Sequence, residues 1–331
     1  MCVTATPLSA TKILKDCARQ PARTTIASSA QVQGLSGAGG GHHNNNNHNG
    51  NHHHNHHHSH HHAGDTDRPQ HTSIMMVRMI GDEFLTEERD RKYYADHYTC
   101  CPPPLFIILI TLVELGFFTY YTVAMGEVNP SGPVPIDSVF IYRPDKRLEL
   151  WRFAFYMFLH AGWLHLLFNL GVQVVVGLPL EMVHGSLRIA AVYMAGVLAG
   201  SLGTSVFDTD VYLVGASGGV YALLAAHLAN VLLNYNNMEF GIVRLIGIFV
   251  IASADVGFAI YDRYAAEQMG PPVSYVAHLT GALAGLTIGL LVLKNFEQRL
   301  HEQLLWWVAL GVYAACTIFA VMYNLMHPDY P

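Results

Sequence analysis

The sequence predicts an all-α membrane protein, a polytopic bundle of six core transmembrane helices followed by one C-terminal helix. Of its 331 residues, 51% are hydrophobic and only 13% are charged, whereas about a quarter of the residues are charged in an ordinary soluble domain. Most of the apolar residues lie after Cys101, chiefly in seven runs that are each long enough to cross a ~30 Å hydrocarbon core as a helix. Backbone groups within lipid must be paired inside the protein, so we expect helices rather than strands.

The seven runs follow one another closely along the chain. Their predicted limits are residues 104–125, 153–177, 187–206, 214–233, 241–261, 274–293 and 303–326. The segment 126–150 between the first two runs is too polar and too rich in proline to cross the bilayer, so we expect it to form a structured loop at the non-cytosolic surface. Residues 102–331 are therefore predicted to form one membrane domain with seven transmembrane helices.

The first hundred residues have a different character. Residues 1–73 are rich in Ser, Thr, Gly, Asn and His and show no periodicity, which predicts a disordered cytosolic tail. Twelve of the 21 histidines lie between residues 42 and 62, in a low-complexity tract without site geometry. Residues 74–101 are predicted to form a cytosolic juxtamembrane segment, in which Cys100 and Cys101 are either sites of palmitoylation or unmodified thiols. A mitochondrial presequence is a lesser alternative, because the tail is basic and poor in acids.

The net charge argues against one class of partner, and the distribution of basic residues predicts the orientation in the membrane. The net charge of −6 and the pI near 6.4 give no reason to expect nucleic acid as a partner. The basic residues beside the runs favour a cytosolic N-terminus by seven to five. The seven are Arg89, Arg91, Lys92, Arg188, Arg244, Lys294 and Arg299, and the five are Arg143, Lys146, Arg147, Arg152 and Arg263.

The fourth run opens with the sequence Gly215-Ala216-Ser217-Gly218. It places a hydroxyl at the start of a helix, between residues without bulk. Free N–H groups at a helix N-terminus would stabilise an oxyanion that forms beside Ser217. Taken alone, such a motif more often serves close helix packing.

The sixth run carries His278 on the same face as Gly281 and Gly285. The fourth run has a matching face of small residues that starts at Gly218, so the two helices are expected to approach closely enough for Ser217 and His278 to hydrogen-bond. With a cytosolic N-terminus, both residues lie near the outer end of the bundle. There a neutral imidazole can take the serine proton and water can arrive through a cavity.

Further polar residues recur in the second run. His165, Asn169 and Gln173 are spaced by four residues and form one polar stripe, which can supply donors to an oxyanion. His160 is expected to point away from that stripe and to have a structural role, and its spacing to His165 disfavours a zinc site. In the fourth run, Tyr221 lies one turn after Ser217, where it either stacks on His278 or is an ordinary interfacial tyrosine.

Two acids lie within predicted membrane helices, Glu114 in the first run and Asp255 in the fifth. Two facing aspartates would indicate an aspartyl mechanism. An isolated Glu and an isolated Asp on different helices do not establish one. We therefore expect each to be buried and locally paired, or near water.

Taken together, these motifs closely resemble those of the rhomboid family of intramembrane serine proteases. The resemblance covers about residues 100 to 326, and stretches such as GASGGVYALLAAHLAN and AHLTGALAGLTIG are most similar to the animal secretase type, in particular the insect Rhomboid proteins. It implies a catalytic dyad of Ser217 as nucleophile and His278 as general base, with His165 and Asn169 at the oxyanion site. The motif positions with supporting roles are Arg152, which follows Trp151, and Gly215, Gly218, Tyr221, Gly281 and Gly285.

The resemblance also implies a function. Rhomboid proteases of this type are serine endopeptidases that cleave single-pass membrane proteins within or beside the transmembrane helix, and the expected substrates are EGF-like growth factor precursors that signal through the EGF receptor. No metal or organic cofactor is implied. The expected location is the secretory pathway, with the Golgi favoured over the endoplasmic reticulum and the plasma membrane.

Two other classes of function stand as alternatives. A catalytically inactive rhomboid-like binding or trafficking factor would be expected to lack the dyad or to carry a proline beside the serine, whereas here Ala216 precedes Ser217. A transporter would be expected to show repeated halves, and the sequence has no evident internal repeat.

Overall fold

The computed structural model describes residues 75, 77–82, 85, 88–97, 103–132, 134–233, 235, 241–264, 274–293 and 300–326. Within these residues the chain is predominantly helical and has no β-strand, which confirms the all-α class. The predicted disordered tail 1–73 and the thiols of Cys100 and Cys101 lie outside the described residues.

The helices used below are numbered in chain order. They are α1 (Glu88–His97), α2 (Leu105–Met125), α3 (Arg152–Phe155), α4 (Gly162–His184), α5 (Ser186–Phe207), α6 (Ser217–Leu233), α7 (Gly241–Tyr264), α8 (Tyr275–Val292) and α9 (Leu300–Met326). All seven apolar runs of the sequence thus contain a long helix. The α4 helix is continuous, although residues Gln173–Gly177 in its middle are π-helical.

Length and composition qualify most of these helices as membrane spans. In the described part of the chain, five helices are long and apolar enough to cross a bilayer: α2, α4, α5, α8 and the stretch Leu304–Met326 of α9. The α6 helix is apolar but only 17 residues long. The α7 helix has 24 residues and includes Arg244 and Asp255. The protein is therefore a polytopic helical membrane protein.

The second span differs from its predicted limits, because it begins at Gly162 and ends at His184 rather than covering residues 153–177. The apolar stretch before it is broken into the short helix α3 and a 3-10 turn at Tyr156–Phe158. Gly162 then adopts a positive φ of 80°, which few residues other than glycine tolerate. Hydrophobicity alone does not distinguish a buried turn from the start of a span, so the prediction was wrong here.

The loop between α2 and α3 packs on the start of α4. The backbone N–H groups of Trp163 and Leu164 donate to the carbonyl oxygens of Asn129 and Pro130, at 3.2 and 3.3 Å. These bonds satisfy donors that the first turn of a helix leaves free. The loop also reaches the segment before α6, since Tyr142 and Leu213 form an isolated antiparallel bridge. The loop and the starts of α4 and α6 therefore lie at one end of the bundle.

The α6 helix is the centre of the bundle. Residues 215–231 are buried, apart from partly exposed Leu228. Small residues allow its neighbours to come close: a methyl group added at Gly281 of α8 would lie 2.5 Å from the carbonyl oxygen of Gly218, and one at Gly196 of α5 would lie 2.6 Å from the same atom. Helices α2 and α9 present mostly exposed apolar side chains, as expected of lipid-facing surfaces.

A feature that the sequence did not predict lies at the opposite end. Glu181, near the end of α4, accepts hydrogen bonds from the backbone N–H groups of Phe106 and Ile107, at 2.7 and 2.8 Å, and so caps the start of α2. The segment before α2 also contributes to the core, because Ile80 and Leu85 are buried. Part of the juxtamembrane segment is therefore packed against the membrane domain.

We predict that Gly285→Ala destabilises the bundle. A methyl group at Gly285 would overlap the backbone of Ala222 in α6, and overpacking of a close contact costs about 1–3 kcal/mol. Gly311→Ala on α9 is the matched control, since a methyl group there would have nothing within 4 Å. Thermal unfolding in detergent micelles should show a lower midpoint for Gly285→Ala alone. Equal midpoints for the two variants would contradict the close contact of α6 and α8.

Candidate active site

Ser217 is the first residue of α6 and follows a turn that requires glycine at position 215. Gly215 has a φ of 111°, and its N–H donates to the carbonyl oxygen of Tyr156 at 3.2 Å. A methyl group at Gly215 would lie 2.5 Å from Cε1 of His165. Only glycine therefore fits at this position, both for its conformation and for its closeness to the His165 ring. Ser217 is 8% exposed and begins a helix, whose first N–H groups have no partner within the helix itself.

His278 lies in the first turn of α8 and is 4% exposed. The close approach of Gly281 to Gly218 sets α6 and α8 backbone against backbone just beyond the two candidate residues. Within the described residues, neither ring nitrogen of His278 has a hydrogen-bond partner. The structure thus brings Ser217 and His278 to facing first turns without a hydrogen bond between them. In proteins without substrate such bonds are often long and tighten only in the complex.

The ring of Tyr221 stacks on the imidazole of His278, with centroids 4.5 Å apart and an interplanar angle of 13°. The spacing in the sequence allowed this contact. The Tyr221 hydroxyl donates to Oδ2 of Asp255 on α7 at 2.9 Å. The same Oδ2 atom lies 3.4 Å from Nδ1 of His278, within ion-pair distance but without hydrogen-bond geometry. Asp255 is locally paired, as expected, but the sequence did not predict that its partners would be Tyr221 and His278.

The three residues of the polar stripe of α4, His165, Asn169 and Gln173, contact different parts of the bundle. His165 lies against the turn before Ser217. The Asn169 amide donates back to the carbonyl oxygen of His165 in its own helix, at 2.9 Å. Gln173 turns to α2, where its amide donates to Thr111 at 2.8 Å. The structure therefore places His165 against Gly215, two residues before the candidate nucleophile, and leaves Asn169 bonded within α4.

His160 does not lie where the sequence placed it. The prediction that it points away from His165 assumed one continuous helix, but α4 begins only at Gly162. The His160 ring instead packs edge-to-face against the His165 ring, with centroids 5.4 Å apart. Among the described residues, no group of three His, Cys, Asp or Glu side chains is placed to hold a metal ion.

Glu114 has a structural environment, as expected from the sequence. It is fully buried and accepts hydrogen bonds from the Tyr193 hydroxyl at 2.9 Å and from the Gln173 amide at 3.1 Å. These bonds join α2 to α4 and α5. Two neutral donors thus satisfy this acid.

Arg152 anchors the outer loop. It is 4% exposed, and its Nη1 donates to the carbonyl oxygens of Ser138 and Ile141 at 3.0 and 2.8 Å. Its Nε donates to Glu149 at 2.6 Å, and this hydrogen bond holds the pKa of the Glu149 carboxyl below its usual value. Arg152 thus holds the loop against the bundle and does not touch the candidate nucleophile.

Tyr156 is a site residue that sequence reasoning missed. Its carbonyl fixes Gly215, and its hydroxyl donates to the carbonyl oxygen of Val197 on α5 at 2.8 Å. That hydroxyl also lies 3.0 Å from where a methyl group on Gly218 would be. No signal in the sequence set this tyrosine apart, because it lies in a stretch that had been assigned to a membrane span.

Fold and site together define a polytopic helical membrane protein with a buried serine and a buried histidine at facing helix starts. Residues 147–295 match the Rhomboid domain. Rhomboid-related protein 2 of Mus musculus is 46% identical over 253 residues, which cover 75% of this chain and 84% of that protein. The chain belongs to the rhomboid family.

Two further relatives extend the comparison. Rhomboid-related protein 3 of Homo sapiens is 44% identical over 256 residues, which are 76% of this chain and 63% of that protein, so the match spans less than two thirds of its length. Inactive rhomboid-related protein 2 of Caenorhabditis elegans is 35% identical over 214 residues, 64% of this chain and 61% of that protein. The family thus includes a relative named as inactive, so membership alone does not establish catalysis.

We predict that Arg152→Gln loosens the outer loop. The substitution leaves buried carbonyl oxygens without their donor, at a cost of about 1–3 kcal/mol. Arg143→Gln is the matched control, because Arg143 makes a more exposed ion pair with Asp145, which is worth about 0–1 kcal/mol. Limited proteolysis of the folded protein should cut residues 126–150 faster in Arg152→Gln than in Arg143→Gln. Equal rates of cutting would show that Arg152 does not hold the loop.

Proposed function

We propose that this protein is an intramembrane serine protease, with Ser217 as nucleophile and His278 as general base. The observation that carries the proposal is the placement of a serine at the start of α6 and a histidine at the start of α8, on helices in backbone contact at Gly218 and Gly281. A buried histidine without a hydrogen-bond partner inside a membrane bundle is costly, and such residues are usually functional.

The chemistry follows from this placement. The Ser217 hydroxyl attacks the scissile carbonyl carbon while His278 takes its proton, and the imidazolium then gives that proton to the leaving amine. The oxyanion forms beside the N–H groups at the start of α6, with His165 as a second donor. Asn169 contributes if its amide turns away from the His165 carbonyl. Water then hydrolyses the acyl-enzyme, and His278 acts again as base and acid.

The substrate class follows from where the site lies. Both residues lie in the first turn of their helices, so a peptide bond near one surface of the bilayer is the one within reach. We propose that the substrates are single-pass membrane proteins, in particular EGF-like growth factor precursors whose release leads to EGF receptor signalling. This finer assignment rests on the resemblance of the motifs to secretase-type rhomboids.

Orientation and compartment belong to the same proposal. A cytosolic N-terminus puts the loop 126–150 and the starts of α6 and α8 on the lumenal side, where growth factor ectodomains lie. The excess of basic residues on the other side supports this orientation. Within the secretory pathway we propose the Golgi as the site of action.

A second candidate function is that of an inactive rhomboid-like factor that binds or escorts client proteins. The observation in its favour is the 35% identity to a relative named as inactive. Against it, this chain carries both Ser217 and His278, and Ala216, not proline, precedes the serine.

We predict that Ser217→Ala and His278→Ala each abolish release of a membrane-tethered EGF-like precursor from cells. Loss of the nucleophile or of its base in a serine protease lowers kcat by on the order of 10⁶. Ser253→Ala, which removes an exposed serine of α7, is the control. Release is measured in the medium at matched expression. If both active-site variants release as much as wild type, the catalytic assignment fails and the escort function takes its place.

A further inference from the structure

We propose that Asp255, on α7, is a positioning residue for His278 of the catalytic dyad. This inference rests on the proposed protease function. Asp255 is 6% exposed and lies near the middle of the 24-residue helix α7. In the described part of the chain, His278 is the basic side chain within ion-pair distance of its carboxylate.

Three side chains from three helices form a closed arrangement. The ring of Tyr221 from α6 covers one face of the His278 imidazole, 4.5 Å away. The Tyr221 hydroxyl donates to Asp255 Oδ2 at 2.9 Å, and that oxygen lies 3.4 Å from His278 Nδ1. Tyr221 therefore holds both partners: its face fixes the plane of the imidazole, and its hydroxyl fixes the carboxylate at the edge of the same ring.

The contact selects the protonation state that catalysis needs. A carboxylate beside Nδ1 favours the tautomer with hydrogen on that nitrogen, which leaves the lone pair on Nε2. In the described residues Nε2 has no hydrogen-bond partner, so it is available to take the Ser217 proton. When the proton arrives, the imidazolium is buried, and a carboxylate a few ångströms away stabilises it. No proton needs to move to Asp255 itself.

Glu114 shows what a purely structural acid looks like in this bundle. Its two hydrogen bonds come from neutral donors, the Tyr193 hydroxyl and the Gln173 amide. Asp255, by contrast, accepts one hydrogen bond from the Tyr221 hydroxyl at 2.9 Å, and its second close contact is with the His278 imidazole at 3.4 Å. Helix α7 packs chiefly against α6. The hydrogen bond from Tyr221 of α6 therefore also holds Asp255 of α7 beside His278.

The test measures kcat and KM for the full chain in phosphatidylcholine vesicles. The probe is a single-pass reporter with an EGF-like ectodomain and a quenched fluorophore pair about its transmembrane segment. Asp255→Asn keeps the size of the side chain but can place an amide N–H₂ against Nδ1 and favour the wrong tautomer. We expect kcat to fall by at least about tenfold, and at most by the about 10⁴-fold measured when the acid of a soluble triad is replaced in this way. KM should stay within about twofold, because Asp255 is proposed to act on His278 and not on the substrate.

Two further variants separate positioning from folding. Tyr221→Phe keeps the stacked ring and removes only the hydroxyl, so kcat should fall by less than in Asp255→Asn. Ser253→Ala, on the exposed face of α7, should match wild type. In addition, Asp255→Asn combined with His278→Ala should be no slower than His278→Ala alone, because Asp255 acts through that ring.

The outcomes are distinct. A folded Asp255→Asn with kcat within about twofold of wild type overturns the positioning role of Asp255. If Asp255→Asn does not fold, Tyr221→Phe decides: a lower kcat supports the assignment, and an unchanged kcat overturns it. If wild type itself cleaves no faster than Ser217→Ala, the protease proposal has failed. If wild type cleaves the reporter and Asp255→Asn cleaves it equally well, only the role of Asp255 has failed.

Discussion

Helices α6 and α8 meet backbone to backbone along a line of small residues, and this contact places everything else in the site. Gly281 faces Gly218, and Gly285 faces Ala222. In lipid no hydrophobic force drives helices together, so close packing of small residues is one of the main sources of attraction, beside interhelical hydrogen bonds. The same contact brings the starts of both helices to one level. A serine and a histidine that are far apart in the chain thereby become neighbours, and Tyr221 can stack on His278.

The bundle uses its buried polar groups in two ways. Glu181 and Glu114 join helices through hydrogen bonds from backbone N–H groups or neutral side chains, because an unpaired polar group in a membrane interior costs several kcal/mol. Around His278 the pairing is incomplete, and neither ring nitrogen has a hydrogen bond within the described residues. A buried imidazole whose nitrogens are free can exchange partners during a reaction, as a general base must.

The outer loop, residues 126–150, helps to hold the turn that precedes Ser217. Arg152 ties the loop to α3, and the bridge between Tyr142 and Leu213 ties it to the segment that leads into Gly215. The turn that presents Ser217 is thus held from two sides, by the loop and by the Tyr156 carbonyl. The loop therefore contributes to the site through the nucleophile turn, without supplying a reacting group.

The sequence by itself determined the all-α membrane class, the position of most helices and the small faces of α6 and α8, because hydrophobic length and residue size act locally. It also pointed to Ser217 and His278 as candidate site residues and allowed the contact of Tyr221 with His278 that the structure contains. Only the tertiary structure decided that the second span starts at Gly162, that His160 packs on His165, and that Asp255 faces His278. Those facts depend on how one helix is rotated and shifted against another. Periodicity along a single helix identifies its faces but does not determine which residue of the next helix each face will meet.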